Sequence, residues 1–118
     1  MSDKLFPDLS GYGGKMSFWN LENLKLEEFR PGIFSKAEIG DNLIMAFMEI
    51  GPHKEDSGHD HPFEQCGIVV QGQTEMFIGD EHKIMTENET YFVPAGVKHG
   101  WKTFDKSVKI LDISFKPD

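Results

Sequence analysis

The segment spanning residues 51–72 concentrates side chains that bind metal ions, and it reads GPHKEDSGHDHPFEQCGIVVQG. His59 and His61 are separated by one residue, and side chains at positions i and i+2 lie on the same face of an extended backbone. Gln65 keeps this parity four residues after His61, so an extended chain would return its carboxamide oxygen to that face. The segment therefore predicts two imidazoles and one amide oxygen directed toward one point.

A second segment, YFVPAGVKHG at residues 91–100, supplies a third imidazole. Pro94 fixes φ and Gly96 permits a tight bend, so the spacing places His99 after a corner, at the start of a new strand. Three imidazoles and one amide oxygen suit a divalent first-row ion, with one or two positions left for water or substrate. We expect one such ion per chain, and these ligands leave its identity open among Mn, Fe, Co, Ni, Cu and Zn.

Each histidine taken alone has a simpler interpretation, as a surface residue or a hydrogen-bonded core residue. The compatible spacing of the two segments favours metal binding for His59, His61 and His99 together. His53 and His82 lack such partners, and we assign them to solvent.

Length and charge limit the classes of function. The chain has 118 residues, which fits one compact domain. Its formal net charge of -8 disfavours nucleic acid and anionic membrane surfaces as partners. No apolar run approaches the roughly 20 residues of a membrane helix, and the single Cys66 forms no internal disulfide, so we expect a cytoplasmic protein.

The pattern of apolar residues from Leu24 onward predicts an all-β fold. Short segments rich in β-branched and aromatic residues alternate with turn sequences, and no 3.6-residue apolar period persists. Closing many short antiparallel strands without exposed edges favours a two-sheet jelly roll or barrel. We predict a flexible N-terminal arm at residues 1–20 and one barrel domain at 21–118. The predicted strands span residues 25–30, 32–38, 42–50, 63–71, 73–78, 82–86, 89–93 and 108–115.

At the histidines the chain resembles the cupin superfamily of small β-barrel proteins. The first cupin motif, G-x5-H-x-H-x(3,4)-E-x6-G, is matched at His59, His61 and Gly72, with Gln65 where glutamate is usual. Seven residues separate the opening Gly51 from His59, where the motif has five. The resemblance implies a double-stranded β-helix, or jelly-roll, barrel of the RmlC-like type.

The second cupin motif, G-x5-P-x-G-x2-H-x3-N, is matched at Pro94, Gly96 and His99. Asn88 replaces its opening glycine and Thr103 replaces its closing asparagine. Cupins include isomerases, dioxygenases, decarboxylases, lyases and proteins that only bind, so the resemblance is specific for fold and metal site and weak for reaction.

Gln65 in place of glutamate changes the expected chemistry. Four neutral ligands would leave the metal site with a net charge close to +2. This charge favours an anionic or chelating substrate and Lewis-acid polarisation of a carbonyl or hydroxyl group. The ligand set is similar to that of the small cupins of pectin breakdown, which convert unsaturated uronates to keto-sugar acids. We therefore expect isomerisation, ring opening or elimination on a small hydroxy-carbonyl or sugar acid, with a dioxygenase and a non-catalytic binding protein as alternatives.

Two further residues are candidates for the active site. Asp112 lies on a strand that usually lines the cupin barrel and would serve as general base, although a structural aspartate is the alternative. Trp101, two residues after His99, would form a pocket wall, with core packing as the alternative. Small cupins commonly pair through a sheet, and an apolar arm beside a β edge invites this arrangement, so we expect a homodimer.

Overall fold

The computed structural model describes residues 17–116, and within this range it contains ten β-strands and no helix. This confirms the predicted all-β class. The strands are β1 (Glu27–Arg30), β2 (Ile33–Ile39), β3 (Leu43–Ile50), β4 (Glu55–His59), β5 (Gln65–Gln71), β6 (Thr74–Ile78), β7 (Glu81–Met85), β8 (Thr90–Val93), β9 (His99–Thr103) and β10 (Val108–Phe115).

The strands form two antiparallel sheets with the core between them. The larger sheet has the order β1-β2-β3-β10-β5-β8 and the smaller has the order β4-β9-β6-β7. Apolar side chains from both sheets are buried together, as expected for a jelly roll. The core cluster comprises Ile33, Ile50, Val69, Met76, Met85, Tyr91, Val93, Val108 and Ile110.

One face of strand β10 is directed into the core. Its residues alternate, and Val108, Ile110 and Asp112 are buried while Ile113 and Phe115 are exposed. Both faces of β10 carry apolar residues, so the alternation in the sequence fixes the two faces but not which of them is inside. The buried face is the one that carries the carboxylate of Asp112.

Two observed strands were absent from the list of predicted strands. β4 (Glu55–His59) reads EDSGH, and a strand without apolar residues gives no period-two signal. It is held by pairing with β9, where Asp56 lies opposite Trp101 and His59 lies opposite His99. The start of β9 at His99 was expected from the preceding corner, whereas its extent comes from the structure.

The predicted arm is described only from residue 17, so most of it lies outside the described residues. In the described part, Ser17 Oγ donates a hydrogen bond of 2.9 Å to Glu38, and the Lys36 ammonium lies 6.0 Å from the centroid of the Trp19 ring. These residues therefore contact the outward side of β2. The described residues include no helix long and apolar enough to cross a membrane.

Candidate metal centre

Three histidines meet at one end of the barrel. His59 ends β4 and His99 begins β9, and the two are direct partners across the ladder. His61 follows in the connection to β5. One ring nitrogen from each histidine lies within 4.8 Å of those of the other two, and the ring centroids are 4.4–5.6 Å apart. The predicted convergence of the three imidazoles is confirmed, and the cluster can hold a metal ion.

Polar contacts made by the Nδ1 atoms fix the orientation of the rings. His61 Nδ1 donates to the Phe63 carbonyl oxygen and His99 Nδ1 donates to the Val97 carbonyl oxygen, each at 2.9 Å. His59 Nδ1 lies 3.0 Å from the Asp56 carboxylate. Because a carbonyl only accepts, the proton of His61 and of His99 is placed on Nδ1, which leaves the lone pair of Nε2 free for a cation.

His99 provides a direct test of whether the residues fit a cation. Its side chain is buried, and its Nε2 atom has no hydrogen-bond partner in the described part of the chain. Burial lowers the pKa of His99, so the ring is held in the neutral form that binds metals. A buried acceptor without a partner is unfavourable, and a bound cation would satisfy it.

Gln65 approaches the cluster at the first position of β5. Its Oε1 atom lies 2.9 Å from His61 Nε2, and its Nε2 atom donates a hydrogen bond of 2.8 Å to Asp112 Oδ2. With Oε1 as an acceptor and His61 protonated on Nδ1, two lone pairs face each other, an arrangement that a cation between them would stabilise. Gln65 therefore fits as a fourth ligand.

The route of the chain to Gln65 differs from the predicted one. We expected an extended backbone from His61, whereas the residues between β4 and β5 bend, and a new strand begins in the other sheet. The phenyl ring of Phe63 stacks on the His61 ring within this bend, with centroids 4.0 Å apart and planes 3° from parallel. The amide reaches the cluster because of the bend, not because of strand parity.

Asp112 joins the cluster from the centre of β10. Its buried carboxylate accepts hydrogen bonds from Gln65 Nε2 and from the Tyr91 hydroxyl, both at Oδ2, whereas Oδ1 has no hydrogen-bond partner among residues 17–116. Burial raises the pKa of Asp112, although its two hydrogen bonds oppose this change. Burial and the neighbouring carboxylate also raise the pKa of Tyr91, so its hydroxyl stays protonated and donates.

This link between Tyr91, Asp112 and Gln65 was not predicted. The sequence indicates only which side chains alternate along each strand. Whether these three side chains meet depends on the register of three strands. Gly67 on β5 lies opposite both Asp112 and Tyr91. A Cβ atom at Gly67 would collide with the Tyr91 ring, so the glycine lets the tyrosine side chain cross β5 to reach Asp112.

Trp101 lies two residues after His99 on β9. It is half-buried, packs against the core cluster and lies opposite Asp56 and Met76 on the neighbouring strands. This position places it on the same face of β9 as His99. Its role as a pocket wall remains a prediction.

A family model for the cupin domain, Cupin_2, matches residues 46–114. The chain belongs to the cupin family. The matched range contains all four predicted ligands and Asp112, and the resemblance inferred from the two histidine motifs is thereby confirmed.

This cupin is similar to one curated protein with an isomerase name. It is 31% identical over 91 residues to the H2HPP isomerase of Bacillus subtilis, which covers 75% of this chain and 39% of that protein. It is also 42% identical over 41 residues to a mannose-1-phosphate guanylyltransferase of Escherichia coli, covering 35% of this chain and 9% of that protein. The chain thus spans less than half the length of these curated relatives.

Many solved structures share the fold. KdgF from Halomonas sp. has a TM-score of 0.75 and 20% identity, with 86% of this chain and 96% of that chain covered. An RmlC-like cupin from Shewanella frigidimarina has a TM-score of 0.76 and 20% identity, with 88% and 94% covered. At these identities the likeness concerns the fold alone.

Proposed function

We propose that this cupin is a metal-dependent enzyme that isomerises a small hydroxy-carbonyl acid, with one divalent ion held by His59, His61, Gln65 and His99. The observation that carries the proposal is the direction of the imidazole nitrogens. Their Nδ1 atoms are occupied by acceptors of this chain, and the Nε2 atom of His99 is buried without a partner in the described part of the chain.

The charge of the site favours an acidic substrate. All four proposed ligands are neutral, so none of them cancels the charge of a cation. When bound, a divalent ion supplies Lewis-acid polarisation of a carbonyl or hydroxyl oxygen. The carboxylate of a small acid, together with an adjacent oxygen, suits the coordination positions that four protein ligands leave open.

Asp112 is the residue proposed to move the proton. Isomerisation removes a proton from the carbon next to a carbonyl and returns it elsewhere on the same molecule, so one base that becomes an acid is sufficient. Gln65 and Tyr91 hold Oδ2 of Asp112, and Oδ1 is left to accept the proton. A raised pKa suits this role because it brings the carboxyl closer to neutral pH. The isomerase name of the B. subtilis relative supports the same class of reaction.

The first experiment measures metal and proton exchange on the same protein. Untagged protein is repleted with each of Mn, Fe, Co, Ni, Cu and Zn, and elemental analysis should give about one ion per chain in the wild type. The His59→Ala and His99→Ala variants should lose most of the bound metal. The loaded protein, mixed with 2-keto acids and uronates in D₂O under nitrogen, should exchange the hydrogens next to the carbonyl, as followed by proton NMR.

Three results would overturn the proposal. Wild-type protein without metal after repletion would remove the site. A reaction that requires oxygen uptake would assign the chain to the dioxygenases, and tight binding of these acids without exchange would make it a binding protein.

Gln65→Glu tests the role of the neutral ligand. The added carboxylate should increase metal affinity and slow proton exchange by roughly tenfold or more, because it cancels part of the cation's charge. Gln71→Glu is the matched control, since it makes the same change at the exposed end of the same strand. Equal exchange rates in the wild type and in Gln65→Glu would contradict a Lewis-acid role.

We also propose that the chain forms a homodimer through the outward face of its larger sheet. Large apolar side chains are exposed there on adjacent strands. A cytoplasmic location stays a prediction from the sequence.

A further inference from the structure

The inward side chains of the larger sheet are arranged in rows. Directly opposed residues of antiparallel strands point to the same face, so the register of β2, β3 and β10 defines which side chains lie side by side. Counted from one end of the sheet to the other, the rows are Ile33, Ile50 and Val108; Ser35, Met48 and Ile110; Ala37, Ala46 and Asp112; and Ile39, Ile44 and Ser114.

The rows differ in exposure from one end to the other. In the first row Ile33, Ile50 and Val108 are at most 7% exposed. In the last row Ile39 is 59% exposed, although its side chain belongs to the inward face. The barrel is therefore closed at the first row and open to solvent where the last two rows cross β2 and β3.

This opening adjoins the candidate metal centre. Ala46 lies directly opposite Asp112, which places their Cβ atoms roughly 5 Å apart. Gln65 lies opposite Ser114 on the other side of β10, so it shares the last row. A molecule bound at the histidines and within reach of Asp112 would extend over the neighbouring positions on β3 and β2.

The side chains at the opening have no hydrogen-bonding groups. We name these four residues the apolar corner: Ala37, Ile39, Ile44 and Ala46. The two alanines leave room for a ring or a branched chain above the sheet. Asp112 is the only charged residue in the four rows, so the corner offers no cation to a second acidic group.

We propose that the apolar corner binds the hydrocarbon body of the substrate, so that the preferred substrate is a small keto or hydroxy acid with an aromatic or branched body and not a polyhydroxylated sugar acid. The inference rests on the proposed function for the carboxylate end. A sugar acid would place several hydroxyls against side chains that cannot pair with them, and unpaired polar groups oppose binding. An apolar body loses no hydrogen bonds there and is removed from water.

The test compares two 2-hydroxy acids that differ in the body. Binding of 3-phenyllactate and of gluconate to zinc-loaded, full-length protein is measured by titration calorimetry. Phenyllactate should bind at least about tenfold more tightly. Equal affinities, or tighter binding of gluconate, would overturn the proposal.

Two variants locate the effect in the corner. Ala37→Leu fills the space at an exposed position and should weaken phenyllactate binding about tenfold while leaving zinc content unchanged. Ala46→Ser adds a hydroxyl and should narrow the preference for phenyllactate over gluconate. Ser107→Leu is the control, because it adds similar apolar bulk on the exposed turn at the closed end.

The outcomes separate this inference from the proposed function. Proton exchange on uronates combined with poor binding of phenyllactate would support the proposed isomerase function and overturn the proposal that the apolar corner binds the substrate. Tighter binding of phenyllactate than of gluconate, without any proton exchange, would support substrate binding at the apolar corner and overturn the proposed isomerase function. Unchanged phenyllactate binding in Ala37→Leu, with a change of molecular mass in light scattering, would assign the corner to a contact between copies of the chain and overturn the proposal.

Discussion

Asp112 carries two separable tasks on its two carboxylate oxygens. Oδ2 accepts from Gln65 and Tyr91, which directs the Gln65 amide so that its oxygen faces His61. Oδ1 is the atom proposed to exchange a proton with substrate. Groups that orient a metal ligand commonly affect metal affinity, whereas a base affects the rate of proton transfer.

Asp112→Asn and Asp112→Ala should therefore give different defects. Asparagine keeps an acceptor for Gln65 and removes the base, so metal content should stay near the wild-type value while kcat falls by roughly 10²–10⁴-fold. Alanine removes both functions, and metal affinity should fall as well, by about 10–100-fold.

Competition titration with a chelator and the proton-exchange assay measure the two quantities on the same samples. Ser114→Ala is the control, because it changes the neighbouring inward position of β10 without removing a hydrogen bond of this network. Equal metal affinity in the asparagine and alanine variants would refute the orienting role of Asp112.

At the scale of elements, three strands of the larger sheet must lie in one register to build the site. β8 supplies the Tyr91 hydroxyl, β10 supplies the carboxylate, and β5 lies between them. The side chain of Tyr91 crosses β5 above Gly67, which lies opposite both Tyr91 and Asp112. Glycine is required at this position for space, not for backbone conformation.

Gly67→Ala tests this crossing. The new Cβ atom would lie 2.7 Å from the Leu111 carbonyl oxygen and would collide with the Tyr91 ring, so the tyrosine has to move away from Asp112. We expect the free energy of unfolding to fall by about 1–3 kcal/mol and proton exchange to slow.

Urea unfolding of the metal-free protein measures the loss of stability. Gly40→Ala is the matched control, because its Cβ would meet only the Leu43 carbonyl oxygen, at an acceptable 3.4 Å. A Gly67→Ala protein as stable and as active as the control would show that the crossing does not matter.

At the scale of the whole molecule, the outward face of the larger sheet exposes large apolar side chains. Four of these side chains are 36–56% exposed and lie on β3, β10 and β8, and we call them the outward patch: Leu43, Phe92, Ile113 and Phe115. Leu43 lies directly opposite Phe115, and Ile113 and Phe92 flank Cys66 of β5 on its two sides, so Cys66 joins Phe92 to the other three. Contiguous exposed apolar surface of this kind is typical of protein interfaces.

Phe92→Lys and Ile113→Lys should each shift the predicted homodimer toward monomer. A two-fold interface contains each substituted position twice, so one substitution places two charges in or near the contact. Light scattering at micromolar concentration should show a dimer for the wild type and the monomer mass for the variants.

Asp105→Asn, in the exposed turn between β9 and β10, controls for the change of net charge by one unit and should remain dimeric. A monomeric wild type would show that the outward patch has another role.

The sequence alone determined the features that depend on local spacing. An H-x-H pair and a P-x-G-x-x-H corner act over a few residues, so the convergence of His59, His61 and His99 could be predicted. The all-β class follows from short apolar segments of period two, and the cupin family follows from the same histidine motifs.

The tertiary structure decided what depends on pairing between distant strands. It placed Gln65 against Asp112, 47 positions away, and determined that the Asp112 face of β10 is inside. It also revealed β4, whose polar residues form a strand only because β9 pairs with them. The apolar corner arises in the same way, since Ala37 and Ala46 become neighbours of the site only through the register of β2, β3 and β10. Local patterns specify the faces of a strand, but cross-strand hydrogen bonds and burial select the partners that each face meets.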